Sequence, residues 1–460
     1  GGLIDLGAGD QESSAAIQYG GKLDEDVDYR VYAKDFYSRA LDVANGASAH
    51  DGWSKPQGGF RLDWSPGADK LTMSGDIYGG AEAQPGVPNQ LISGGNLTAH
   101  WEHPLDGSAP LQLLAYYDYT RRWTDAGGSF TLNTYNLEIQ HGFNLGSWNN
   151  IVWGVGDRID QYRITDAVSS SASLLWRPPA RTLNLANIFA EDHIPLSDSV
   201  QLTVGLKLEN DPYSGISPMP SGRLSWKVDD NNLIWGAVSR AVRSPTPFDT
   251  DVVEKLGGIA FLTGNPDFLP EQVTAYEAGY RGQFSSLVSF SVSLFENVYD
   301  DLKSIEPTIP TILPLYWGNG IEGNTYGLEA WGSYQAADWW LLSAGFNLQR
   351  EDLKFAPGAS GLVGVSQAGD DPRHQVSLRS SMNLSDDLVL DADLRDIGAL
   401  PDPKVPEYVE LNLNLGWRIS DTLELSLSGF NLLHARHLEY VTAAAAEVKR
   451  NFFVETKWRF

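Results

Sequence analysis

The feature that most constrains this chain is an alternation of apolar and polar side chains with a period of two. Leu411, Leu413, Leu415, Trp417 and Ile419 fall on one face, and Asn412, Asn414, Gly416 and Arg418 on the other. Val288, Phe290, Val292 and Leu294 alternate with Ser289, Ser291 and Ser293, and Leu388, Leu390, Ala392 and Leu394 with Val389, Asp391, Asp393 and Arg395. Successive side chains of a strand point to opposite faces, so each such segment has one apolar and one polar face. Helical periodicity is scarce. Ala443 to Lys449 has the composition of a short helical turn, but it lies between two strands and is read as loop. No run of about 18 apolar residues is present, which excludes a membrane-spanning helix.

About 22 segments carry the pattern, most of them about 9 to 13 residues long. Their approximate spans are 2–9, 13–21, 26–36, 55–64, 69–79, 92–103, 111–123, 130–142, 147–158, 182–193, 199–210, 218–228, 231–240, 272–283, 286–300, 323–336, 338–350, 371–384, 387–398, 407–419, 422–432 and 448–460. A tilted strand needs about this length to cross a bilayer, whereas strands of soluble sheets average about 5 to 6 residues. The connections agree. Asp229-Asp230, Phe284-Ser285, Ala337, Ser385-Asp386 and Ser420-Asp421 are short, while 37–54, 159–181, 241–271, 301–322 and 351–370 are long. Trp331, Trp339, Trp340, Trp417 and Trp458 lie near strand ends, as in an interfacial girdle. The expected fold is an all-β transmembrane antiparallel β-barrel of about 22 strands, with short periplasmic turns and long extracellular loops. It forms one domain over residues 1–460, placed in the outer membrane of a Gram-negative cell.

Composition excludes other classes. Asp and Glu number 59 against 33 Lys and Arg, a formal charge of −26, which argues against nucleic acid as partner. Cysteine is absent, removing disulfide frameworks, thiolate metal sites and cysteine nucleophiles together. The terminus Gly1-Gly-Leu-Ile-Asp has no basic segment followed by an apolar run, so no signal peptide is expected in the chain.

Several stretches, in order, resemble the β-barrel domain of a TonB-dependent outer-membrane receptor. They are Pro220-Ser-Gly-Arg-Leu-Ser-Trp-Lys, Leu233-Ile-Trp-Gly-Ala-Val-Ser-Arg-Ala-Val-Arg-Ser-Pro245 and Gly264-Asn-Pro-Asp-Phe-Leu-Pro-Glu271. Tyr276-Glu-Ala-Gly-Tyr-Arg281, the run from Val288 to Leu302, Asn324-Thr-Tyr-Gly-Leu-Glu329 and the pair Asn431-Leu432 before the terminal strand complete the set. The resemblance covers most of the chain and is strongest from about residue 218 onward. It implies a plug domain and a short box that engages a TonB-type energy transducer. Here Leu3 onward already reads as barrel strand, so no plug domain is expected within this chain.

Candidate site residues follow. Glu277, Gly279 and Arg281 are placed on the lumen face, with Tyr276, Ala278 and Tyr280 toward lipid; Glu277 and Arg281 are candidates for plug or lumen contact, against ordinary cross-strand pairing. Arg240 and Arg243, where a strand rises into a long loop, are candidates for an anionic ligand, against wall packing or lipopolysaccharide contact. Tyr213, Tyr316 and Trp317 lie in expected outer loops, where aromatics line pockets or pack loop on loop. Asp249, Asp251 and Glu254 can hold a cation, but a solvated acidic loop is the simpler reading. His434 and His437 lack a third metal ligand in sequence, so no metal site is assigned. No Gly-x-Ser-x-Gly, Walker-type or His-Glu-x-x-His motif occurs, so neither enzyme activity nor a cofactor is expected.

The resemblance implies energised uptake of a scarce ligand, first an iron–siderophore complex, then cobalamin, saccharides or other metal chelates. The expected partners are outer-membrane lipid and lipopolysaccharide, the metal chelate, the TonB-type transducer, and the barrel-assembly machinery at the strand ending in Phe460. The alternative is a plug-less passive diffusion channel. A soluble all-β protein is the third reading.

Overall fold

A computed structural model describes residues 1–105, 109–125, 127–146, 148–169, 171–369, 371–440 and 446–460. Its wall is one closed antiparallel sheet of 22 long strands. In chain order they are β1 (Gly2–Gly9), β2 (Glu12–Asp24), β3 (Val27–Ser38), β4 (Gln57–Trp64), β5 (Lys70–Gln84), β6 (Val87–His103), β7 (Leu111–Thr124), β8 (Ser129–Leu145), β9 (Asn149–Thr165), β10 (Ala180–Pro195) and β11 (Val200–Asp211). The second half comprises β12 (Gly215–Lys227), β13 (Asn232–Arg243), β14 (Glu271–Ser285), β15 (Val288–Thr308), β16 (Ile312–Ala337), β17 (Trp340–Phe355), β18 (His374–Ser385), β19 (Leu388–Ile397), β20 (Tyr408–Arg418), β21 (Leu423–Phe430) and β22 (Asn451–Arg459). Each strand pairs with its sequence neighbours, and β22 pairs back to β1. Gly2 N donates to Phe460 O at 2.6 Å, and Phe460 N to Gly2 O at 3.0 Å, at that seam.

Register separates the two faces. One row across six strands reads Ile234, Tyr280, Val292, Ala330, Phe346 and Val376. The adjacent row reads Trp235, Gly279, Ser293, Glu329, Asn347 and Gln375. Paired residues share a face, so an apolar row alternates with a mainly polar one. The apolar rows are open to the surroundings; Ile77 is 73% and Leu294 54% exposed. A soluble sheet would bury such side chains, whereas a wall facing hydrocarbon displays them. No described helix is long and apolar enough to cross a membrane, so strands alone make the wall.

The turns on the side of both termini are short throughout, from two residues at 286–287 to seven at 104–110. Trp226, Trp340, Trp417 and Trp458 lie near that edge on the apolar face, consistent with a girdle. Trp331 departs from the expectation. It pairs with Ser291 and Gly345 and shares the lumen face with Glu329.

The other rim is less uniform than the sequence suggested. Segment 301–322 is not a loop: β15 runs on to Thr308 and β16 starts at Ile312. Register shifts at Leu302 and a left-handed Asp301 (φ 59°) let the ladder continue past residues that looked like a break. Five short strands join the wall near this rim: Trp53–Ser54, Ala167–Val168, Ala172–Trp176, Val252–Leu256 and Ile259–Thr263. Ala446–Lys449 is a short strand paired with Arg436–His437 and Asp42–Val43, where the sequence suggested a loop. Residues 443–445 of that stretch lie outside the described residues.

Candidate functional site

The connection from β13 to β14 is where buried side chains gather. It starts with a one-turn helix, Pro247–Thr250, and continues as the strands Val252–Leu256 and Ile259–Thr263. The first strand pairs with Ala172–Trp176 in the β9–β10 connection. The second lies parallel to β16, with Leu262 opposite Leu315 and Thr263 opposite Tyr316. A small sheet therefore spans part of the mouth. Val252, Leu262, Phe268, Leu315 and Ile321 are all less than 9% exposed, forming an apolar core at the mouth.

Two carboxylates pin this connection, and neither is the solvated acid its sequence suggested. Asp249 is 1% exposed. It accepts from Lys303 Nζ at 2.6 Å, Arg243 Nη1 at 3.2 Å, and both the backbone N–H and hydroxyl of Thr246. Burial pushes its carboxyl up, but the hydrogen bonds from Lys303 and Thr246 outweigh this and hold it below its ordinary value of 3.8. Asp251 accepts from Tyr162 Oη at 3.1 Å and pairs with Arg181 at 3.2 Å. One anchor thus reaches β13 and β15, the other β9 and β10.

Two partners of Asp249, Arg243 and Lys303, also line a cavity of about 580 Å³, whose other lining residues include Glu271, Trp317, Glu351 and Asp371. Arg243 ends β13 and Glu271 begins β14; they are register partners and form an ion pair. Lys303 sits just beyond the bulge in β15. Its backbone N–H donates to Glu271 at 2.7 Å, and its ammonium lies 3.8 Å from the centre of the Trp317 ring and 4.9 Å from that of Phe248. Trp317 and Phe248 have ring centres 5.6 Å apart. Cation, carboxylate and aromatic faces thus meet on the lumen side of the wall.

The sequence candidates separate accordingly. Arg243 and Trp317 line the cavity. Tyr316 sits where the loop strand docks on β16. Tyr213, in the β11–β12 turn, is held against the Arg181 guanidinium at 5.4 Å. Arg240 is three residues from Arg243 and points to the opposite face, toward Gln272. Glu277 pairs in register with Ala237 and Phe295, and Arg281 with Leu233 and Ser291, on the lumen face. No ion pair joins Glu277 to Arg281 among the described residues; four steps along the strand set them about 13 Å apart.

Sequence reading missed the network of Asp249, Arg243, Lys303 and Glu271 and the separate anchor of Asp251 on Tyr162 and Arg181, because most of the partners lie far apart along the chain. It also missed Glu410. This fully buried carboxylate accepts from Leu433 N and contacts His434 at 2.7 Å and His437 at 3.2 Å. Among the described residues one group has metal-ligand spacing: His374, Asp396 and Glu407, with ligand atoms within 4.8 Å of one another.

The model of the TonB-dependent receptor-like β-barrel family matches residues 13–432. A probable TonB-dependent siderophore receptor, PirA of Acinetobacter baumannii, is 25% identical over 128 residues, which is 25% of this chain and only 17% of that protein. The crystal structure of the siderophore receptor PirA from Acinetobacter baumannii superposes with a TM-score of 0.79 at 15% identity, covering 100% of this chain and 80% of that one. The FrpB iron transporter from Neisseria meningitidis gives a TM-score of 0.81 at 12% identity, covering 100% and 81%.

Proposed function

The chain belongs to the TonB-dependent receptor β-barrel family, and from that premise we propose that it is the barrel of an energised outer-membrane uptake receptor. The proposed ligand is an iron–siderophore complex, since the similar proteins named above are siderophore receptors and an iron transporter. The observation that carries the reading is the lumen-side cavity lined by Arg243, Lys303 and Trp317, the first two of which also hold Asp249. A concave site with aromatic faces and a few fixed polar groups is the form ligand sites take. Arg243 and Trp317 are proposed to touch the ligand. Tyr213 and Tyr316 are proposed to contribute through the connection they pack against.

Residues 1–460 are proposed to act as one barrel domain. A wall of 22 strands encloses more space than its own side chains fill, so controlled passage calls for an occluding plug. Glu277 and Arg281, on the lumen face, are proposed contacts for it. A TonB-type transducer then supplies the work from the periplasm, and the ligand is moved without chemical change. Lipopolysaccharide is proposed to meet the outer face near the rim, and the barrel-assembly machinery the strand ending in Phe460.

The test is uptake of radiolabelled ferric chelates by cells carrying the protein, with and without the energy transducer. Uptake that persists unchanged without the transducer refutes the proposal. It would favour the passive channel, which a steady ungated conductance in a planar bilayer would also reveal.

A further inference from the structure

Register brings three rim residues together on the outer face, away from the lumen cavity. Val376 of β18, Asp396 of β19 and Val409 of β20 form one cross-strand row, continuous with the apolar row of the wall. His374 stands two positions before Val376 and Glu407 two before Val409, so both fall on the same face as Asp396. Ligand atoms of His374, Asp396 and Glu407 all lie within 4.8 Å of one another. Backbone contacts fix the arrangement. Gly398 N donates to His374 O at 3.0 Å. Leu400 and Val405 exchange hydrogen bonds at 3.0 and 3.1 Å, so the connection folds back and delivers Glu407 beside β18 and β19. A Cβ at residue 398 would lie 3.0 Å from both Nδ1 and Cε1 of His374; glycine there leaves room for the imidazole.

The two carboxylates are short of positive charge. His374 Nε2 lies 3.7 Å from Asp396 Oδ2, too far for a hydrogen bond. Among the described residues neither Asp396 nor Glu407 forms an ion pair with Lys or Arg, whereas Asp249 and Asp251 at the same rim each do. Asp396 Oδ1 is buried without a hydrogen-bond partner. Carboxylates this close repel one another unless a cation or a proton comes between them.

We propose that His374, Asp396 and Glu407 bind a divalent transition-metal ion of the zinc class, which clips the outer ends of β18, β19 and β20 together. One imidazole and two carboxylates are a donor set that zinc accepts, with its fourth position open to water. Calcium takes about six to eight oxygen ligands, and an imidazole with two carboxylates suits it poorly. The ion supplies the missing positive charge and turns a repulsion into a tie across three strands. The site is independent of what the barrel transports.

The test is calorimetric titration of the untagged, chelator-stripped barrel in detergent with Zn²⁺. His374→Ala, Asp396→Asn and Glu407→Gln are compared with His434→Ala as control, and heat-modifiable migration on gels establishes that each variant is folded. The unaltered protein is expected to bind one Zn²⁺ that excess Ca²⁺ does not displace. His374→Ala is expected to abolish that binding, each carboxylate variant to weaken it at least about tenfold, and His434→Ala to leave it intact. Co²⁺ in place of Zn²⁺ should give a visible d–d absorption that His374→Ala removes. Absence of Zn²⁺ binding, binding that survives His374→Ala, loss with His434→Ala, or displacement by Ca²⁺ would each overturn the proposal and leave the uptake reading untouched.

Discussion

Lys303 and Asp249 meet at 2.6 Å, joining the β13–β14 connection to the wall across 54 residues of sequence. The contact ties the start of the small mouth sheet to β15. Asp249→Ala removes the acceptor that Lys303, Arg243 and Thr246 share. Because Arg243 and Lys303 keep partial solvent contact, the expected loss is about 1–3 kcal/mol, below that for a fully buried pair. The loss is local: hydrogen exchange at Val252–Leu256 should speed up while the melting of the barrel stays put.

The same carboxylate gives the mouth a pH dependence of definite sign. Its folded pKa lies below the ordinary 3.8, so its contribution is fully present above that value and is lost as pH falls through the folded one. Protection of the Val252–Leu256 amides, taken relative to their intrinsic exchange rate at each pH, should therefore fall as pH drops below 3.8. Asp249→Asn should flatten this dependence; an unchanged profile would assign it to another group.

The two faces of β15 should respond oppositely to the same substitution. Leu294→Arg puts a charge on the lipid face and should cost up to about 2–4 kcal/mol. Ser293→Arg, one residue away and facing the lumen, should cost less than about 1 kcal/mol. Urea unfolding of both variants in lipid vesicles checks the difference, and equal costs would contradict the facing of this strand.

Arg240 and Arg243 offer a paired test of the site. Arg243→Ala should weaken chelate binding, because Arg243 lines the cavity. Arg240→Ala, on the outer face beside Gln272, should leave it within about twofold. Fluorescence titration distinguishes them.

Glu277→Gln and Arg281→Gln remove lumen charges that no described ion pair uses. Barrel stability should change by no more than about 0.5 kcal/mol. Energised uptake should nonetheless fall if these residues grip a plug, as transport assays in cells would show.

The wall was largely legible in sequence because a two-residue period leaves its mark on every strand. Arg240 and Arg243, grouped in sequence as candidates for one ligand, are parted by that same period: three residues apart on a strand, they point opposite ways. The rim was less legible. Asp300-Asp301 and Pro307 resemble loop residues, yet bulges carry β15 through them to Thr308. Asp249 and Asp251 looked like solvated acids because their partners, Lys303 and Arg181, lie 54 and 70 positions away. Local pattern records the direction of a side chain but not a distant counter-ion. Trp331 failed for a related reason: nearness to a strand end suggested the girdle, and only register placed it in the lumen.

The pairing of Gly2 with Phe460 makes the wall a cycle interrupted at a single bond position. Because these two residues stand at opposite extremes of sequence separation, their meeting has the largest loop-closure entropy of any strand pairing here. Closure is thus the natural last act of assembly. The position of the interruption is topologically arbitrary. A circular permutant joined from Phe460 to Gly1 and opened at the turn between β5 and β6 would trace the same wall with a different final seam.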